Sequence, residues 1–153
     1  MVVSSHVILG AAAWTAASWF QGLPATGSDL ILAAVGALLP DLDHPRSWVG
    51  RRLRLVSIPL GMVVGHRGVT HSLLAVVSGI VFLHWHGWQG FAAPLMVGYL
   101  SHLAGDLCTP AGVPLLWPSR GKWALRLFRT GSLIEHGLSI LVALATVYAW
   151  GWV

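Results

Sequence analysis

FAAPLMVGYLSHLAGD, residues 91–106, carries the reading of the fold. Residues 91–100 hold no charge and read as a helix in an apolar setting, and Ser101, His102 and Asp106 follow within two turns. A spacing of four puts His102 and Asp106 on one helical face, where both side chains can reach a common point. Ionisable groups at the end of so apolar a segment are costly unless they pair, face a wet cavity or bind an ion. The helix cannot supply those partners itself, so other chain segments must bring them.

Reading outward, the same arrangement recurs. His6 precedes the apolar run 7–20; the run 30–39 ends in PDLDH, residues 40–44; HRGVTHS, residues 66–72, leads into the run 72–84; and Glu135 and His136 sit at the start of the run 133–150. The chain has 153 residues, of which 56% are hydrophobic and 9% charged, with nine Trp. Soluble domains carry about 25% charged residues, so the composition indicates an integral membrane protein of one domain, residues 1–153. The fold class expected is all-α: a polytopic membrane bundle of about five helices, with a short re-entrant or interfacial helix near 56–65, where Pro59, Gly61 and Gly65 oppose a clean span. The run 30–39 is the weakest span. No Lys or Arg occurs before Arg46, so the first helix is not expected to be a cleaved signal peptide. Cys108 is the single cysteine, which excludes an internal disulfide.

The pI near 10.2 raises nucleic acid as a partner. Basic loops flanking apolar helices fit anionic headgroups and the positive-inside bias more simply, so membrane lipids are expected as partners and nucleic acid is not. Threading the helices with His6 at the cytoplasmic face puts Arg46, Arg51, Arg52, Arg54, Arg67, Arg120, Lys122, Arg126 and Arg129 on that side. Trp19, Trp85, Trp88, Trp150 and Trp152 then form the opposite interfacial belt. This threading gathers His6, Asp41, Asp43, His66, His71, His102, Asp106 and Glu135 at the cytoplasmic end of the bundle.

So many imidazole and carboxylate donors suit a divalent metal, zinc before manganese or iron, in one to three ions. Asp41 and Asp43, two apart after Pro40, point to one side if that segment is extended. Plainer roles are expected elsewhere. Asp29 belongs to a helix cap, His84 and His86 to the far interface, and Gly98, Gly105 and Gly112 to close packing and turns.

LLPDLDHP (residues 38–45), GHRGVTHS (65–72) and SHLAGDLCTPAGVPLLWP (101–118), with His6 before them, resemble the YdjM family over nearly the whole chain. That family is described as LexA-regulated, membrane-bound and composed of metal-dependent hydrolases. More remotely, the pattern is similar to zinc-dependent phospholipase C and related single-strand nucleases, all-helical enzymes that cleave phosphoesters. The resemblance implies that His102 and Asp106 match their His and Asp pair, that Asp41 or Asp43, His66 and His71 match the intervening ligands, and that Glu135 matches a late acidic ligand. It implies hydrolysis by a metal-activated water, with Asp43 or Glu135 as general base and Arg67 or Arg129 neutralising a phosphate oxygen. The substrate expected is a lipid or lipid-linked phosphoester at the cytoplasmic face of an inner membrane. The alternative is a non-catalytic membrane protein with a structural metal site, or a transporter of metal or protons.

Overall fold

The computed structural model describes residues 1–64, 68–119 and 121–151. These form six helices: α1 (Val3–Gln21), α2 (Gly27–Gly36), α3 (Arg54–Val64), α4 (Leu73–Trp85), α5 (Gln89–Leu107) and α6 (Leu133–Trp150). Short 3-10 turns at Pro40–Asp43 and Val69–His71 precede α3 and α4. Among the described residues the only β pairing is an isolated bridge between Val113 and Trp123.

The all-α class stands, and the helices number the expected five with a sixth in the segment near 56–65. The segment near 56–65 is a full helix, α3, with Pro59 inside it. The run 30–39 is cut short: α2 ends at Gly36 because Pro40 has no N–H to offer the Gly36 carbonyl, which accepts from Leu39 N at 3.2 Å in a tighter turn. At 10 and 13 residues, α2 and α4 cover only about 15 and 20 Å of a hydrocarbon core about 30 Å thick. Among the described residues α6 alone is long and apolar enough to cross a membrane.

α5 packs against α1, α2 and α4, and small residues bring the first three together. A Cβ on Gly98 would lie 1.9 Å from the Ala33 carbonyl oxygen, and one on Gly36 would lie 2.0 Å from that of Leu95. Backbone therefore meets backbone between α2 and α5, the close contact that small residues permit between membrane helices. Gly10 of α1 approaches the same Ala33 carbonyl and the Ala37 side chain. Helix starts are fixed by side chains: Thr26 and Asp29 close a capping box on α2, Ser72 caps α4 and Ser132 caps α6.

Polarity runs opposite to that of a soluble domain. Buried side chains include Ser5, His6, Thr15, Ser18, Asp43, His71, His102, Asp106, Glu135 and Ser139, whereas Leu55, Met62, Val81, Leu133, Leu144 and Val147 are exposed. Trp14 is buried against Ala25 and Ala33; Trp19, Trp85, Trp88 and Trp150 are exposed.

Candidate metal centre

The tight α2–α5 contact sets up the site one turn further on. Four residues after Gly98, His102 meets the end of α2, and its Nδ1 donates to the Ala37 carbonyl at 2.7 Å. A carbonyl at a helix terminus lacks the partner it would have mid-helix and is open to such a bond. With Nδ1 so engaged, Nε2 carries the lone pair. It is buried and has no hydrogen-bond partner, standing 3.9 Å from Asp41 Oδ1 and 3.9 Å from Asp106 Oδ2.

His71 completes a ring. Its Nε2 lies 3.7 Å from Asp41 Oδ1 and 4.0 Å from Asp106 Oδ2. Four donors from three segments thus alternate imidazole and carboxylate in a ring, at separations too long for hydrogen bonds. Donors about 2.0–2.1 Å from a tetrahedral ion would be about 3.3 Å apart, so the ring needs to contract by a few tenths of an ångström to hold one. The buried, unpartnered His102 Nε2 and the mixed donor set fit a divalent ion, and the triads Asp41–His71–His102 and His6–His102–Asp106 could each hold one. Because His102 has one nitrogen left for both, Asp106 is the residue able to serve two: Oδ2 faces the ring, while Oδ1 lies 3.4 Å from His6 Nε2 and 2.5 Å from the Met1 amine. The His6 and His102 rings stack at 3.7 Å.

Asp41 and Asp43 do not lie on an extended segment as expected. Proline is favoured at the first position of a helical turn, and Pro40 starts a 3-10 turn that separates them. Asp41 faces the ring, whereas Asp43 approaches the opposite side of His71, with Oδ2 3.7 Å from Nδ1. Thr70 Oγ1 donates to Asp43 and lies 3.1 Å from His71 Nδ1, and Tyr99 Oη donates to the Thr70 carbonyl. This is the arrangement by which an imidazole is oriented through its second nitrogen. Burial opposes ionisation of Asp41, but the adjacent His71 and the fields of His102 and His6 prevail and hold its carboxyl at about 2. Burial likewise disfavours charge on His71, and is outweighed by the nearby carboxylates of Asp41 and Asp43, which raise its pKa.

Glu135 is buried nearby but lies in neither triad. Its Oε1 accepts from Val2 N and its Oε2 from Gly131 N, each at 2.7 Å, joining α6 to the start of α1. Arg129 is exposed in the turn before α6. His66 and Arg67 lie outside the described residues. His84 and His86 are exposed at the far end of α4. Sequence reasoning missed Thr70, Tyr99 and the Ala37 carbonyl; Thr70 sits inside a motif already singled out, while a backbone carbonyl leaves no trace in residue identity.

The fold and the ring define a small helical protein with apolar outer faces and a buried His and carboxylate centre. The chain belongs to the YdjM inner membrane protein family, whose profile matches residues 1–153. It is 46% identical over 124 residues to the inner membrane protein YdjM of Escherichia coli (strain K12), and equally so to that of Shigella flexneri. Those matches cover 76% of this chain and 63% of each relative, so the chain spans less than two thirds of the relatives' length. It is 36% identical over 155 residues to YvsG of Bacillus subtilis (strain 168), an uncharacterized protein, covering 97% of this chain and 93% of that one. No solved structure matches.

Proposed function

We propose that this chain is a membrane-bound, metal-dependent hydrolase of phosphoesters whose centre faces the cytoplasm. The observation that carries the reading is the ring of Asp41, His71, His102 and Asp106, with donor separations of 3.7–4.0 Å and His102 Nε2 buried without a partner. These four residues would hold the first ion, zinc in preference to manganese or iron given two imidazoles, and His6 with Asp106 Oδ1 a second. Such an ion supplies a water whose pKa is lowered toward neutrality.

The chain's own groups do the rest. Ala37 and Asp43 with Thr70 fix the orientations of His102 and His71. A polar cavity of about 420 Å³, lined by His6, Asp41, His44, Ser47, Trp48 and Asp106, opens beside the ring and admits the phosphate. Asp43 and Glu135 do not line this cavity, whereas His44 does and holds no ion in this scheme, so proton acceptance is assigned to the His44 imidazole. The basic segments around Arg46–Arg54 and Lys122–Arg129 suit the cytoplasmic face.

The test is metal content with activity. Purified protein should carry zinc or manganese and hydrolyse bis(p-nitrophenyl) phosphate or p-nitrophenyl phosphate, with both properties lost in Asp106→Asn. Folded protein that retains metal yet cleaves neither ester would point to a structural site. A metal or proton flux in proteoliposomes would point to transport.

A further inference from the structure

The seam between α1 and α6 is tied at both ends and open between them. At the end near the metal centre, Ser139 Oγ donates to Ser5 Oγ at 2.8 Å; at the other, Trp150 Nε1 donates to the Ala25 carbonyl at 2.7 Å. Between these ties lie two apolar cavities, of about 520 and 390 Å³, that share Ala12 and Val142 and so form one groove. Small residues, Ala12, Ala13 and Ala16 on α1 and Ala145 and Ala149 on α6, leave the space between the helices unfilled. The larger cavity reaches Gly105 and Met1, and Met1 also lines the polar cavity beside the ring. A Cβ on Gly105 would lie 2.7 Å from Met1 Sδ and 3.6 Å from His6 Cε1, so this glycine is where the groove meets the centre.

Length decides what fits. From Leu9 to Trp19 the groove follows α1 for about 15 Å at about 1.5 Å per residue, which is half of a hydrocarbon core about 30 Å thick. One lipid acyl chain spans half the core. The outer wall is α6, the helix able to cross a membrane, so the seam faces the compartment that supplies such chains. Its walls are almost wholly apolar, so a hydrocarbon chain leaving the bilayer meets like surroundings there.

We infer that the α1–α6 groove binds the single acyl chain of a lipid phosphoester whose phosphate enters the polar cavity at His6 and Asp106, making the substrate an amphiphile selected by chain length. This rests on the proposed hydrolase for its headgroup half and on the groove for its tail half. Hydrolysis adds water to phosphorus and breaks a P–O bond; the leaving oxygen takes the proton and departs as an alcohol.

The test uses the full chain in dioleoyl phosphatidylcholine vesicles with a palmitoyl lysophosphatidate bearing a mid-chain diazirine. Photolabel should map to peptides containing Ala12 and Val142, increase when zinc is added, and be displaced by palmitoyl but not butyryl lysophosphatidate. Ala12→Phe, and independently Val142→Trp, each filling the groove where its two cavities meet, should lower labelling severalfold with zinc content unchanged. Label spread over α3, α4 and α6 alike, or seam labelling indifferent to zinc and chain length, would overturn the inference. If the wild type binds zinc but cleaves no ester, the hydrolase reading fails, and seam labelling still judges the groove. If esters are cleaved while butyryl and palmitoyl probes compete equally, the groove fails and the hydrolase stands.

Discussion

α5 and α6 have nearly the same length, 19 and 18 residues, and open opposite faces of chemistry. α5 buries Ala92, Pro94, Met96, Gly98, Tyr99, His102, Leu103, Gly105 and Asp106, while α6 buries only Glu135 and Ser139, both in its first two turns. The difference shows what each helix is for. α5 is the axis on which α1, α2 and α4 assemble, and its polar end is tolerated because three other segments bring partners to it. α6 is bonded to the bundle through two polar groups near the centre and a Trp at the far end, and leaves Leu133, Ile140, Leu141, Leu144 and Val147 exposed. Polar and apolar side chains share the interior of this chain, while many large aliphatic ones face outward.

The largest expected contrast lies in the imidazoles of the two helices. His102→Ala should remove nearly all bound metal and reduce hydrolysis to background, whereas His136→Ala, at an exposed position on α6, should change neither; elemental analysis and ester assays check both. Next come the glycines. Gly98→Leu drives a side chain into the Ala33 backbone and should cost about 3 kcal/mol or more, read as a lowered unfolding midpoint in detergent, together with weakened metal binding as Ala37 moves off His102. Thr70→Val, which removes the hydroxyl between Asp43 and His71, should weaken zinc affinity by about 10–100-fold, with Thr70→Ser restoring most of it.

A further effect is one of pH. His71 holds its proton more tightly than an ordinary imidazole, and an ion must displace that proton. Zinc affinity should be flat above the raised pKa of His71 and fall by up to about tenfold per unit as pH drops through it; Asp41, held at about 2, stays ionised across this window. Titration calorimetry from about pH 8 to about pH 6 gives the slope, and an affinity that rises on acidification would contradict the assignment. The smallest change belongs to α6: a Cβ on Gly137 meets nothing within 4 Å, so Gly137→Ala should raise the unfolding midpoint slightly, by about 0.5–1 kcal/mol of helix propensity.

The all-helical class was legible because the long apolar runs recur with polar punctuation, and the pairing of His102 with Asp106 because a spacing of four has one meaning on a helix. The ends of α2 and the shape of Pro40–Asp43 were not. There the outcome turns on a missing proline N–H and a short 3-10 turn, local choices that apolar periodicity does not register. Asp41 and Asp43 look equivalent in sequence, and only the placement of His71 between them separates one that faces the ring from one that backs the imidazole. Glu135 carries its acid at a helix start, as many capping residues do, and its bonds to Val2 and Gly131 depend on a chain contact across more than 130 residues.

The most direct test of the central claim is an anomalous difference map at the zinc edge from crystals of the full chain grown with zinc. A metal centre at the ring gives a peak bounded by Asp41 Oδ1, His71 Nε2, His102 Nε2 and Asp106 Oδ2, with donors drawn in to about 2.0–2.2 Å. A folded, zinc-supplied protein with no peak there, its four side chains bonded to one another or to water, would contradict it.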